Sequence, residues 1–197
     1  MLRSVYQSGI LALLNSAGSH PLQLWAVVQS ASVENAQIAV ERDCDIGENV
    51  VTLESPDLAT TFISCPRTES EKLGMKLPYM FLIVKSMGRP FSFEVEVLDG
   101  QGIVRRLRAS NYETRARIDD GICIVPLQLD GDCWNYLTLD IALLLEGAFG
   151  TGYRETSRVT FHANAKLRLV GFADRIVPED QLPAELRLYC KYTVDSD

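Results

Sequence analysis

An all-β fold, two packed antiparallel sheets of the jelly-roll kind with short helices, follows from three observations. Short runs rich in β-branched and aromatic residues recur along the chain between Gly, Pro or Asp punctuation. The longest alternation, "TSRVTFHANAKLRLVGFADR" (156–175), has the two-residue period of a half-buried strand. Helical patterns are confined to a few short pieces. About ten strands with so little helix imply two layers around one core.

The strands are justified in order. The opening stretch, "PLQLW" (21–25), "VVTLE" (50–54), "LATTFISC" (58–65), "YMFLIVK" (79–85) and "FSFEVEVL" (91–98) each meet the composition rule. "IVRRLRA" (103–109), the run at 121–128 containing "ICIVPLQL", "WNYLTL" (134–139) and "LRLYCKYTV" (186–194) complete the set. Around "LDGQGI", Phe91, Phe93, Val95 and Val97 take the core side, and Glu94 and Glu96 the outer side. An odd loop length then sets Arg106 and Arg108 opposite those carboxylates as a cross-strand ladder. Asp140 caps a helix through "IALLLEGA" that Gly147 and Gly150 end, and Pro178 starts a turn in "PEDQL". Residues 26–49 show no clear period and carry Glu34, Glu41, Asp43, Asp45 and Glu48, which reads as an acidic surface excursion or lid.

Composition bounds the function. A chain of 197 residues, 47% hydrophobic and 23% charged, has material for one core, so a single domain over 1–197 is expected. A formal charge of −7 argues against nucleic-acid binding through the whole surface. Cys44, Cys65, Cys123, Cys133 and Cys190 form no C-x-x-C pair, so neither a disulfide framework nor a zinc knuckle is indicated. The apolar run Ile10–Leu14 is too short for a signal peptide and no run is long enough to span a bilayer, so the chain reads as cytosolic with no membrane partner.

Catalytic motifs are missing. There is no G-x-S-x-G elbow, phosphate loop or H-E-x-x-H helix, and "GAFGTGY" (147–153) lacks the strand and lysine of a nucleotide fingerprint. His20 and His162 are the two histidines, too few for a zinc site by spacing. No enzyme activity, metal or cofactor is expected. What stands out is a positive stripe: Val159, Phe161, Ala163, Ala165, Leu167 and Leu169 take one side of the 156–175 alternation, and Arg158, His162, Lys166 and Arg168 the other. As one half-buried strand, it should lose about 2–5 kcal/mol when Phe161 or Leu167 becomes Ala, and less than about 0.5 when Arg158 or Lys166 is replaced.

Seven blocks, among them "QSGILALLNSAGSHPLQLW", "LGMKLPYMFLIVK", "RRLRASNYE" and "AFGTGYRETSRVTFHANAKLRLVGFADRIVPEDQLPAELRLY", together resemble the family of cilia- and flagella-associated protein twenty, in order over nearly the whole chain. The resemblance implies a β-sandwich similar to carbohydrate-binding modules, without enzymatic activity. It also implies a structural role in the axoneme, at the inner junction of doublet microtubules, where members alternate with the parkin co-regulated protein and tie the B-tubule to the A-tubule. Familiar members are basic, have a short connection in place of the acidic 26–49 segment and carry arginines where this chain has Leu145 and Glu146. The chain therefore resembles a divergent acidic paralogue.

Against the acidic surface of tubulin, a docking face of Arg158, His162, Lys166 and Arg168, extended by Arg105, Arg106, Arg108 and Asn111, is the expectation. Three other readings stand beside it: a paralogue at the basal body or centriole, a nuclear protein linked to transcription, and a sugar-binding module with Trp134, Tyr136 and Tyr153 as stacking platform.

Overall fold

The computed structural model describes residues 1–131 and 133–188. Its elements in chain order are β1 (Ile10–Asn15), β2 (Ala26–Gln29), β3 (Gln37–Arg42), β4 (Asn49–Glu54), β5 (Thr61–Cys65), β6 (Tyr79–Ser86), β7 (Ser92–Asp99) and β8 (Val104–Ser110). Then follow β9 (Arg117–Asp119), β10 (Ile122–Pro126), β11 (Trp134–Asp140), α1 (Ile141–Phe149), β12 (Tyr153–His162), β13 (Ala165–Ala173) and two single-turn 3₁₀ helices, Glu179–Gln181 and Ala184–Leu186.

Two sheets form the sandwich. One runs β11-β6-β13-β4-β3, with β1 also on β13; the other runs β2-β5-β12-β7-β8-β10-β9. Pairing is antiparallel except for β10, which lies parallel to β8. Between the sheets sits a core of Trp25, Leu53, Ile63, Phe91, Phe93, Phe161 and Phe172, all at most 2% exposed. Its aromatic spine has Trp25 and Phe161 at 5.9 Å and Phe161 and Phe93 at 5.4 Å between centroids. Aromatic residues of this size dominate burial energy, so this spine is where the sandwich is anchored.

A second cluster covers the outer face of the six-stranded sheet, where Val177, Leu182 and Leu186 lie on Phe81, Ile83 and Leu169. The Phe81 ring packs against Gly171 of β13, and a Cβ at Gly171 would collide with it. The sheet is therefore buried on both faces, which is why "YMFLIVK" reads as a nearly unbroken apolar run.

The 156–175 alternation is two strands. β12 belongs to the seven-stranded sheet and β13 to the six-stranded one, and the chain changes sheet at Ala163–Asn164. Asn164 holds that corner: its Oδ1 accepts from the Ser55 N–H at 2.7 Å and its Nδ2 donates to the Pro90 carbonyl at 3.1 Å. A second interruption follows at Arg168, where β13 bulges between Leu167 and Leu169. An extra residue reverses the phase of a strand. Leu167 faces the inter-sheet core, but Leu169 faces the outer cluster, correcting the single-sided assignment.

Three further elements differ from expectation. "PLQLW" is a turn, closed by Gln23 N–H to His20 and Trp25 N–H to Leu22, which drops the Trp25 ring into the core with Nε1 donating to the Leu13 carbonyl at 3.2 Å. Residues 26–49 contain β2 and β3, an edge strand for each sheet. Gln29 joins these edges: its Nε2 donates to the Ala36 carbonyl at 2.6 Å and its Oε1 accepts from the Ile38 N–H at 3.2 Å. Of "LRLYCKYTV", Leu186 ends the second 3₁₀ turn and positions 189–194 lie outside the described residues. The helix is as expected, with Asp140 accepting from the Leu143 N–H and Gly150 at φ 65° closing it.

Candidate interaction surface

The β7–β8 hairpin builds the outer face of the seven-stranded sheet. Its loop is set by Asp99, whose Oδ1 accepts the N–H groups of Gln101 at 3.0 Å and Ile103 at 2.8 Å. Burial opposes the Asp99 charge, but these donors and the Arg105 guanidinium at 3.2 Å hold its carboxyl below the usual range. The register this loop imposes sets Glu94 opposite Arg108 and Glu96 opposite Arg106. That is the ladder read from the sequence.

Charges alternate across the face. Arg108 Nε donates to Glu94 at 2.7 Å, and Arg106 lies 3.8 Å from the same carboxylate. Glu96 accepts from the Ser157 hydroxyl at 2.7 Å and the Lys72 ammonium at 3.0 Å. Burial raises the Glu96 carboxyl, and those two donors outweigh it and leave it below the ordinary value. Arg117, which shares the Arg108 row through Ile124, pairs with Glu113 at 3.0 Å. Lys72, Arg106, Arg108 and Arg117 thus share the face with Glu94, Glu96, Glu113 and Asp119, and the Arg106 side chain is 48% exposed, that of Arg108 36%.

Of the eight residues expected to form one stripe, the structure brings together four on this face: Arg106, Arg108, Arg158 and His162. Arg158 is a loop clamp rather than an open cation. Its guanidinium donates to Ser64 Oγ and to the carbonyls of Pro66, Thr68, Glu69 and Glu71, at 2.8 to 3.1 Å. His162 places Nδ1 3.0 Å from the Leu58 carbonyl and its ring centroid 5.5 Å from Phe62.

The other four lie elsewhere. Arg105 is on the opposite side of β8, 4.7 Å above the Phe149 ring. Asn111 ties the hairpin end, accepting from the Phe91 N–H at 2.8 Å and donating to the Arg89 carbonyl at 2.9 Å. Lys166 and Arg168 belong to the other sheet and meet the chain's own acidic hairpin. Lys166 is 3.0 Å from Asp43 and 3.7 Å from Glu41; Arg168, 2% exposed, binds Glu48 and Asn15, each at 2.6 Å. Burial opposes the charge of Asp43, but Lys166 and the Asp45 N–H lower its carboxyl below the ordinary value.

Sequence reasoning missed Lys72 and Arg117 on the open face. Neither sits in an alternating run; Lys72 comes from an irregular loop and β9 has three residues. The aromatic platform does not assemble. Trp134 and Tyr136 pack with the outer cluster of the six-stranded sheet, whereas Tyr153 is in β12 with its hydroxyl 2.6 Å from the Met75 carbonyl, and burial pushes its phenol up to about 12. Among the described residues, no group of His, Cys, Asp and Glu could hold a metal ion.

Several known proteins are similar to this chain in sequence or in fold. The Chlamydomonas reinhardtii cilia- and flagella-associated protein 20 is 40% identical over 96% of this chain and 97% of its own length. The Paramecium tetraurelia protein of that name is 39% identical over 96% of each. Among solved structures, a family 11 carbohydrate-binding module from Clostridium thermocellum superposes with a TM-score of 0.45 at 10% identity, covering 88% of this chain and all of the module. A xylan-binding domain of family 22 gives 0.41 at 12% identity, over 87% of this chain and all of that one. Residues 1–190 match the CFA20 domain, and with that match and those relatives the chain belongs to the CFA20 domain family.

Proposed function

We infer that the protein is a structural component of the cilium or flagellum. The observation that carries this reading is the 40% identity, across nearly its full length, to the Chlamydomonas protein named for cilia and flagella. Within that setting it acts as a non-enzymatic cross-linker at the inner junction of doublet microtubules, contacting the tubulin lattice and the parkin co-regulated protein. The outer face of the seven-stranded sheet, with Arg106 and Arg108, meets the acidic surface of tubulin. The buried Arg168 and the Asp43-paired Lys166 organise the protein itself. Contacts are individually weak, and repetition along the filament supplies avidity.

The test is fractionation of flagellated cells carrying a tagged copy. The expected result is tag retained in detergent-extracted axonemes, strongly reduced for the Arg106→Gln/Arg108→Gln variant, whose lost exposed ladder pairs cost about 1 kcal/mol or less each in a parallel melt. Exposed charges are screened over roughly 8–10 Å at physiological salt, so moderate salt should release purified protein from microtubules more readily than from intact axonemes. Wild-type protein absent from axonemes would overturn the reading. Normal retention of the double variant would move the docking face elsewhere.

A further inference from the structure

Residues 1–7 form no strand, yet they are strapped to the loop that leads into β6. The Leu2 N–H donates to the Leu73 carbonyl at 2.7 Å. Gln7 Nε2 donates to the carbonyls of Leu2 at 2.9 Å and Gly74 at 2.8 Å, while its Oε1 accepts from the Lys76 N–H at 2.8 Å. The strap lies so close that a Cβ at Gly74, itself at φ 70°, would meet the Arg3 nitrogen at 2.8 Å. Held this way, Arg3 reaches β12, where its Nε donates to both carboxylate oxygens of Glu155 at 2.9 and 3.2 Å.

The Glu155 side chain is 5% exposed and needs a cation, which Arg3 supplies. Two more cations stand beside it. Arg154 is its neighbour in the chain, and Gln7 ties Lys76 to the strap that carries Arg3. Both side chains are exposed, and among the described residues neither makes a hydrogen bond or an ion pair. Arg3 holds the Glu155 carboxyl below its usual range against the opposing effect of burial, and Arg154 and Lys76 add to the pull. Other carboxylates of this region are engaged or turned away. Glu96 is held by Lys72 and Ser157, and Asp99 by Arg105. Glu69 and Glu71 belong to the far end of the loop, where their carbonyls bind Arg158. Three cations around one carboxylate leave a local positive surplus in a chain of formal charge −7. Tyr6, 89% exposed, stands on the same strap.

We propose that Arg3, Tyr6, Lys76 and Arg154 form a docking site for a carboxylate-rich peptide segment of another protein. Charge complementarity sets the sign of the partner. The cations come from three separate segments and stand open to solvent, which suits an extended chain bearing several carboxylates. A single small anion would instead need convergent donors in a shielded cavity. Tyr6 adds a rigid amphipathic ring against which the stems of such side chains can pack. A nucleic-acid strand fits less well, because its charge would run past the patch across an otherwise acidic surface. The site stands apart from the axonemal reading, whose cations are Arg106 and Arg108.

The test uses the purified full chain and a fluorescein-labelled octaglutamate peptide, read by anisotropy at low ionic strength. Saturable binding in the range of hundreds of micromolar is expected, with none for octaglutamine. Lys76→Gln/Arg154→Gln should weaken it by about tenfold, and Tyr6→Ser by about threefold. The double variant removes no bond within the chain, so its melting curve should coincide with that of wild type. Arg106→Gln/Arg108→Gln should leave the affinity within about twofold, which separates this site from the axonemal face. The proposal fails if wild type shows no saturable binding, if the Lys76/Arg154 variant binds equally well, or if the loss follows Arg106 and Arg108 instead. Tighter binding of a single-stranded DNA oligonucleotide than of octaglutamate would overturn it in favour of nucleic acid. Concentration-dependent self-association abolished by the Lys76/Arg154 variant would overturn it in favour of a second copy.

Discussion

Arg158 and Arg168 bound one eleven-residue stretch of the sequence, but they do different work on different sheets. On the seven-stranded sheet, where β12 carries Arg158, the cations alternate with Glu94 and Glu96 of β7 on an outer face that keeps Arg106 and Arg108 of β8 partly open to solvent. On β13, Lys166 and Arg168 are closed over by Glu41, Asp43 and Glu48 of the β3–β4 hairpin. The lesson is that charge in a sequence names a potential, and topology decides whether it is spent inside the molecule or offered outside it.

The strongest way to break this contrast is at Arg168. Replacing it by Ala leaves Glu48 and Asn15 without their donor and empties a buried site, at about 3 kcal/mol. Arg168→Met should cost clearly less, because it keeps the volume and removes the charge that needed pairing. Urea melts of the two variants check this, and equal small losses would mean that Arg168 behaves as a surface cation.

Arg158→Ala should follow, at about 1.5–2.5 kcal/mol, because its guanidinium gathers four loop carbonyls that water would otherwise have to satisfy. This replaces the figure of under about 0.5 that an exposed strand arginine would have. Protease cleavage within residues 66–71 should rise with it. A resistant loop in the variant would argue against the clamp.

Acid sharpens the comparison next. Asp43 and Glu96 have folded values below their ordinary 3.8 and 4.5, so each contributes stability in full above that range and loses it as pH falls through the depressed value. The stability gap between wild type and Asp43→Asn, or Glu96→Gln, should therefore be constant near pH 6 and narrow below about pH 4. A gap that stays flat to pH 3 would show that neither carboxylate is held by its partners. The smallest effect belongs to Arg106→Ala, an exposed ladder position, at less than about 0.5 kcal/mol.

The sequence was legible where its signals were local. The β7–β8 register could be read in full because one loop and one alternation determine it, and the Asp140 cap and Gly150 stop are equally local. The β12–β13 corner was not legible, since Asn164 turns the chain through bonds to Ser55 and Pro90, far away in sequence. Nor was the Arg168 bulge, which leaves residues on both sides apolar while exchanging the faces they occupy. β2 and β3 left no period because edge strands half open on both faces need no alternation. Of the interaction surface, the Arg106 and Arg108 positions were visible; Lys72 and Arg117 joined them only through tertiary pairing.

Gln29 carries a consequence for how the protein behaves in a crowd. Free strand edges are where folded β-proteins zip into one another, and this chain exposes Val27, Val28 and Val40 along two of them. By occupying the Ile38 N–H and the Ala36 carbonyl, one amide side chain removes the starting rung from which a neighbour's strand would grow. Copies can then be concentrated to millimolar local density along a scaffold and stay separate folded units.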